Sequence, residues 1–561
     1  MARLLCLTAI CGTFLAAGAA LAQAPPAERV KFIELGWDIP DTAFLAEHWR
    51  QMEAEGPFDG VMFRFAETAP DGRAISSETV WNTEPWEAEW LDGAIEDLRS
   101  CQWTKFRHNF CRFNATPDRI DWADDAGWAT LAEKARLCAR LVREGGAQGL
   151  APDFEPYGSN QWNYDPARDG DFAATYEVVR QRGQQWISAV AAEMPNAVIL
   201  TLFSNSIVDA AGRADDPFAA LKTHPYAFLS AFWDGMIAGA SDEMILVDGC
   251  EAGYYKDSVE EFLQAAKDMR SWSGPSLRLV SPERRAKARL QAQAGFGVYV
   301  DMYINPEGHT YYRPPLDGSR LARFERNLRA ARDAADQYVW IYGEQSRWWS
   351  GLAPWRTESL ANTAGRGLSW EEVLPGVTRM IDRLRDPAAV AAAGLARARA
   401  EGPAANLLAN PDFTEPGPTP TSAPAGWSAW QNEALGVFSH DPAVGGGSAL
   451  GTKVRWGTFI QNIPAQPGEM YYLSVRLRQA GSGQPTLSSR WQTSDNVWVH
   501  EALDRIASFG PPDADGWQRA ELVVTVPPDA GQLCFLVGWR GQETDQDQIW
   551  VDDAELYRVD E

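Results

Sequence analysis

Asp153 and Glu155 stand two residues apart in Gly149-Leu-Ala-Pro-Asp-Phe-Glu-Pro-Tyr-Gly158, where a short apolar run ends in a Pro-Tyr-Gly turn. Side chains two apart on a strand leave the same face, so both carboxyls would enter one site. Paired acids at the exit of a buried strand, with aromatics following, suit the cleavage of glycosidic bonds. That reaction needs one protonated carboxyl to donate to the leaving oxygen and one ionised carboxyl as nucleophile or base.

Other strand ends repeat the arrangement. Apolar runs at 32–37, 60–65, 106–113, 149–155, 197–203, 244–248, 297–304 and 338–342 alternate with helix-period stretches at 84–100, 126–144, 172–193, 258–270, 320–336 and 377–401. Eight β-then-α units over residues 25–401 predict an α/β fold, a (βα)8 TIM barrel. A doubly wound open sheet is the alternative, but no Gly-rich phosphate fingerprint follows any of the runs.

In a barrel the active site lies where the strands end. Alternation turns Glu34 and Asp38 of the first strand, Arg64 of the second, and Asp153 and Glu155 of the fourth toward the axis. From the fifth, seventh and eighth strands come Thr201, Phe203 and Asn205, then Tyr299, Asp301 and Tyr303, then Trp340, Tyr342 and Glu344. On the sixth, Asp248 and Glu251 have opposite parity, and a turn beginning at Gly249 would bring Glu251 over the mouth.

Glu155 and Glu251 are the first choice of catalytic pair, with Glu344 as substitute for the second role. Asp153 and Asp301 would orient them, and Asp153 would raise the acid of Glu155 by like-charge repulsion. Candidate substrate-binding residues are Asp38, Arg64, Asn205, Asp248, Tyr255, Tyr303 and Trp348. Arg64, Arg112 and Arg347 are candidate partners for so many acids. For any single acid, a structural ion pair is the competing reading. The retaining barrel clan carries Asn-Glu at its fourth strand and Glu at its seventh, whereas this chain has Phe154-Glu155 and Asp301.

The remaining composition narrows the class. Met1 to Ala24 has Arg3, an apolar run and Ala22-Gln23-Ala24, a bacterial-type secretory signal with an A-x-A cleavage site. It predicts a periplasmic or extracellular protein with no membrane span, an uncleaved anchor being the alternative. After cleavage Cys101, Cys111, Cys138, Cys250 and Cys534 remain, an odd number without C-x-x-C. Only six His are present, which disfavours a zinc site, and no G-x-S-x-G supports an esterase. A net charge of −25 would repel nucleic acid and anionic membranes. The 25 Trp suit both cores and sugar-binding clefts, since flat rings pack on sugar C–H faces. The expected partner is therefore a carbohydrate, bound without a catalytic cofactor. A non-catalytic glycan-capture protein on a barrel scaffold is the alternative. Nothing in the residues specifies an oligomeric state.

Beyond residues 402–405 the text changes to Gly/Pro/Ser/Thr turns and short alternating strands, as in an all-β jelly roll or sandwich over 406–561. Asn406-Leu-Leu-Ala-Asn-Pro-Asp-Phe413, Gly426-Trp427, Gly468-x-x-Tyr-Tyr-Leu-Ser-Val475 and Ile549-Trp-Val-Asp-Asp553 resemble carbohydrate-binding modules of families 4 and 9. That resemblance implies a glycan-binding jelly roll, with Asp412 and Asp552 as ligands of a structural calcium. An accessory sandwich without sugar binding is the other outcome. Gly36-Trp37-Asp38-x-Pro40 and Pro57-Phe58-Asp59-Gly60-Val61 are similar to the opening of secreted (βα)8-barrel glycoside hydrolases of a group without a settled mechanism. This second resemblance implies the fold and not the reaction.

Overall fold

The computed structural model describes residues 29–349, 368–499, 501–527 and 530–560. The expected signal segment, residues 1–24, lies outside them. The chain divides into two compact units, Met1–Val377 and Thr378–Glu561.

The first unit is the expected barrel. Its parallel strands are β1 (Lys31–Gly36), β2 (Gly60–Phe63), β3 (Phe110–Asn114), β4 (Gly149–Asp153), β5 (Val198–Thr201), β6 (Ile245–Asp248), β7 (Ala292–Ala294), β8 (Phe296–Tyr299) and β9 (Tyr338–Gly343). They are hydrogen-bonded in the order β8-β9-β1-β2-β3-β4-β5-β6-β7. The segments β7 and β8 are one barrel strand interrupted at Gly295, so the ring closes through the chain itself. β7 pairs with β6, and β8 with β9. Every residue of β1 to β5 is buried, as expected of strands covered on both faces.

Helices α1 (Thr42–Glu55), α2 (Asp92–Ser100), α3 (Asp125–Gly145), α4 (Phe172–Glu193), α5 (Leu229–Gly239), α6 (Val259–Arg270) and α7 (Arg320–Ala334) follow the strands. Many of them start at a side-chain cap: Asp41, Asp124, Asp171, Ser258 and Ser319 each accept a first-turn N–H. Between α3, α4 and α5 the tryptophans do core work. Trp122 stacks on Trp128 at 5.0 Å, and Trp81, Trp128, Trp162 and Trp186 surround Phe232.

The stretch 377–401, read from sequence as the last barrel helix, differs in two ways. It forms two helices, α8 (Val377–Arg385) and α9 (Pro387–Glu401), because Pro387 cannot continue the ladder and Asp386 caps the second start. It also falls almost wholly in the second unit, where Ala391 and Ala398 of α9 pack with Met470, Tyr472, Tyr557 and Val559.

The second unit is a sandwich of antiparallel sheets. Its strands are β10 (Ser428–Gln431), β11 (Val437–Asp441), β12 (Ser448–Thr452), β13 (Trp456–Pro464), β14 (Met470–Ala480), β15 (Gln484–Gln492), β16 (Arg505–Ser508), β17 (Trp517–Thr525), β18 (Gln532–Arg540) and β19 (Gln548–Arg558). The sheets run β10-β13-β18-β15-β16 and β11-β12-β19-β14-β17. Their inner faces alternate into a core holding Phe413, Leu473, Val475, Phe535, Val537 and Val551.

Asp336 secures the barrel closure beside Gly295. Its carboxylate accepts the Ala294 N–H at 2.8 Å, its own N–H donates to the Ala294 carbonyl at 2.9 Å, and Arg270 pairs with it. Asp336→Ala is expected to cost about 1–3 kcal/mol by stranding that donor, read as an earlier thermal transition. Asp336→Asn keeps an acceptor and is expected to lose less.

Candidate active site at the strand ends

The mouth is built around a buried ion pair. Arg112 precedes the end of β3 by two residues, and its guanidinium donates to Asp153 Oδ2 at 2.7 Å and to Asn114 Oδ1 at 3.1 Å. Asp153, the last residue of β4, is fully buried. It also accepts the Glu155 N–H at 3.0 Å and the Tyr157 hydroxyl at 3.0 Å. Asp153 is thus an orienting group, tying β3, β4 and the turn after β4 together.

Glu155 and Glu251 meet beside this pair. The turn after β6 is clamped from below. Gly249 N–H donates to the Thr201 carbonyl, Glu251 N–H to the Leu202 carbonyl, and the Trp340 indole to the Gly249 carbonyl. A Cβ at Gly249 would come within 2.2 Å of the Thr201 oxygen, and one at Gly253 within 2.5 Å of the Gly297 oxygen. Cys250 between them adopts φ 38°, in the left-handed region. This reversal resolves the opposite parity of Asp248 and Glu251. Asp248 points back to accept Ser204, Ser206 and Cys250 donors, while Glu251 starts a 3-10 turn toward β4. Burial, then repulsion from Asp153 and Glu155, pushes the Glu251 acid up to about 8. Glu155 is shifted upward as well, by burial first and by Asp153.

Glu344 follows β9 and accepts the Tyr342 hydroxyl at 2.8 Å. Its N–H and that of Gln345 donate to Asp301 at 2.9 and 3.0 Å. Asp301 is fully buried, and burial pushes its acid up to about 7 despite those donors. Around these acids stands a wall of tyrosines. Tyr254 stacks on Tyr342 at 5.9 Å, Tyr299 lies 5.1 Å from Tyr342, and Tyr226 feels the charges of Glu155 and Glu251. Tyr226 comes from the long connection after β5 and had no sequence signal.

A second acid pair lies under the first strand. Glu34 and Asp38 converge over Gly36, whose Cβ would lie 3.0 Å from one carboxyl and 2.2 Å from the other. Neither Glu34 oxygen has a hydrogen-bond donor, so burial and the Asp38 carboxyl act on it with nothing opposing them. Burial, then Asp38, holds the Glu34 acid well above its usual range, and burial lifts Asp38 to about 6. Asp38 accepts the Trp348 N–H at 3.3 Å.

Several expected substrate contacts sit elsewhere. Tyr303 was placed on the axis by alternation, but the strand ends at Tyr299 and Val300–Tyr303 is a 3-10 turn. Its hydroxyl therefore accepts from Asn327 on α7, and its ring packs on Phe324. Trp348 is 6% exposed, edge-on to Phe58 at 4.8 Å. Asn205 is buried and donates to the Ser276 carbonyl. Arg64 pairs with Asp41 and Glu78. Asp38 and Asp248 are internally engaged, as described. Tyr255, 55% exposed and 6.2 Å from Tyr311, stands at the rim. A cavity of about 620 Å³ opens on the far side of the Glu251 turn, lined by Ser206, Arg213, Cys250 and Lys256 among others. It is separate from the converging acids. The five cysteines are buried free thiols.

On the sandwich, Trp430 and Trp456 are 47% and 41% exposed on neighbouring strands, edge to face at 5.6 Å, with the Arg540 guanidinium 4.2 Å over the Trp456 ring. Of the expected calcium ligands, Asp552 is buried with its acid raised to about 7, by burial first and then by Asp553 and Asp412. Asp412 and Asp552 are thus neighbours. Among the described residues, however, no group of three or more His, Cys, Asp or Glu gathers for a metal. Two carboxylates fit calcium only in part, since it takes six to eight oxygens. Also among the described residues, no helix is long and apolar enough to cross a membrane.

No family model matches the chain, and no curated protein does. Solved structures give partial likenesses. The enzymatically active domain of tailspike protein 4 of bacteriophage CBA120 is 14% identical over 28% of this chain and 22% of that one, with a TM-score of 0.22. The chain thus spans about a fifth of that domain. A CBM4 structure is 20% identical over 27% of this chain and 99% of its own, at 0.20. An arabinose-bound MgGH51 α-L-arabinofuranosidase is 19% identical over 27% and 26%, at 0.21. TM-scores this low carry no functional argument.

Removing the guanidinium would leave Asp153 buried and uncompensated. Arg112→Leu is expected to destabilise the chain by about 3–5 kcal/mol, read as a lower urea midpoint. The double variant Arg112→Leu/Asp153→Leu is expected to recover part of that loss.

Proposed function

We propose that the barrel is a glycoside hydrolase and that the sandwich is its glycan-binding module. One observation carries this reading: the turns after β4 and β6 bring Glu155 and Glu251 beside Asp153, where burial and mutual repulsion raise both acids, Glu251 to about 8. Glu251, pushed to about 8, is the proton donor to the leaving oxygen. Glu155 is the opposing carboxylate, and Glu344 a second acid facing the same space. Asp153 orients Glu155 through its main-chain N–H, and Asp301 holds the turn that carries Glu344. The rim tyrosines, Tyr255 among them, offer flat faces for sugar rings.

The leader at residues 1–24 supports export to the periplasm or beyond. The Trp430–Trp456 pair supports carbohydrate binding by the sandwich, because an exposed edge-to-face pair on one sheet offers two ring faces to a sugar chain. A calcium held by Asp412 and Asp552 would be structural and has no part in the barrel's chemistry.

The test is sugar release from a polysaccharide and aryl-glycoside panel. Glu251→Gln and Glu155→Gln are each expected to lower kcat/KM by at least a thousandfold with the fold intact. A donor must be protonated, so wild-type kcat/KM should fall as pH rises through about 8. For aryl glycosides with good leaving groups, Glu251→Gln should retain more activity and lose that alkaline limb. Binding without release across the panel would favour glycan capture instead. Separately, Trp430→Ala with Trp456→Ala is expected to weaken retention on insoluble glycan while leaving turnover of small aryl glycosides unchanged.

A further inference from the structure

The mouth holds more carboxyls than two-carboxylate hydrolysis of a neutral sugar calls for, and among the described residues it has little cation to balance them. Asp153, Glu155, Glu251 and Glu344 face one another closely enough that Glu155 feels both Asp153 and Glu344, and Glu251 feels both Asp153 and Glu155. The guanidinium that Glu155 and Glu251 both sense, Arg112, is already engaged by Asp153 and Asn114. Arg313 approaches the rim but donates to the main-chain oxygen of Tyr255. The other wall is aromatic: Tyr226 from the connection after β5, Tyr254 and Tyr255 after β6, Tyr299 at the end of β8 and Tyr342 on β9. Tyr254, Tyr299 and Tyr342 lie ring to ring, with centroids 5.1 to 5.9 Å apart. Glu155 and Glu344, met by phenols but by no ion-pairing cation among the described residues, together with electron-rich rings are the two elements that recognise an organic cation.

We propose that the substrate is an amino sugar chain, with the protonated amine of one residue seated between Glu344, Glu155 and the tyrosine wall. This rests on the hydrolase reading of the same site. Glu344 takes the ammonium as hydrogen-bond acceptor while Tyr342 holds its carboxylate in place. The tyrosine faces add attraction that a neutral hydroxyl at the same ring position does not receive. An N-acetyl group removes the charge and forfeits both.

The experiment is calorimetric binding of β-1,4-linked oligomers of glucosamine, N-acetylglucosamine and glucose to the full chain carrying Glu251→Gln, which removes turnover. The glucosamine oligomer should bind at least tenfold tighter than the glucose oligomer, about 1.4 kcal/mol. That margin should shrink in 0.5 M salt and disappear when Glu344→Gln or Glu155→Gln is added. Equal affinities, or a margin that survives both added substitutions, would overturn the proposal. Turnover by the wild type separates the two readings. Hydrolysis of glucose oligomers with no gain for the amino form sinks amine recognition and leaves the hydrolase standing. Charge-dependent binding with no release from any oligomer sinks the hydrolase and leaves amine recognition.

Discussion

The Arg112–Asp153 ion pair is the interaction on which the mouth depends. A carboxylate at the end of a barrel strand is out of water and must be met by a cation or donors. Arg112 is held by Asp153 and offsets only part of the burial and repulsion that raise Glu155 and Glu251. Burial is the largest cause of the raised Glu251 acid, and Asp153 adds to it. The same carboxylate accepts Glu155's main-chain N–H, so one residue acts on both the charge and the geometry of the proposed pair.

Each acid at these strand ends meets its desolvation by a different device. Asp153 uses a guanidinium, Asp248 a set of main-chain and hydroxyl donors, and Asp301 two successive N–H groups. Glu344 uses a phenol, and Glu34 faces Asp38 with its acid held well above the usual range. Glu251 has no ion pair of its own among the described residues, and its acid is raised to about 8. A group left short of partners in a fold that satisfies its neighbours is a functional candidate on physical grounds.

The strand count and the change to an all-β unit after the barrel were legible because each rests on a local period. Glu251 was legible only as a possibility, since its position depends on a left-handed Cys250 that no propensity favours. Tyr303 was misplaced because alternation was extended past the point where the chain stops being a strand, and Trp348 because an aromatic in a loop after a strand can equally be core. Tyr226 and the Glu34–Asp38 contact arise from packing between segments far apart in sequence, which periodicity does not encode. The helices over 377–401 were assigned to the wrong neighbour, because an amphipathic pattern says that a face is buried but not against what.

The clamp under the Glu251 turn has a consequence for how this protein can change. Gly249 and Gly253 sit too close to backbone oxygens to accept any side chain, and the indole beneath is committed to the Gly249 carbonyl. The acid's position is therefore closed to gradual adjustment, and mutational drift there ends in loss of the site. Tyr255 and its neighbour Tyr311 stand partly in solvent, held by ring contacts and not by backbone oxygens. On the proposed hydrolase reading, divergence toward new sugars would run through that rim, with the acids held constant beneath it.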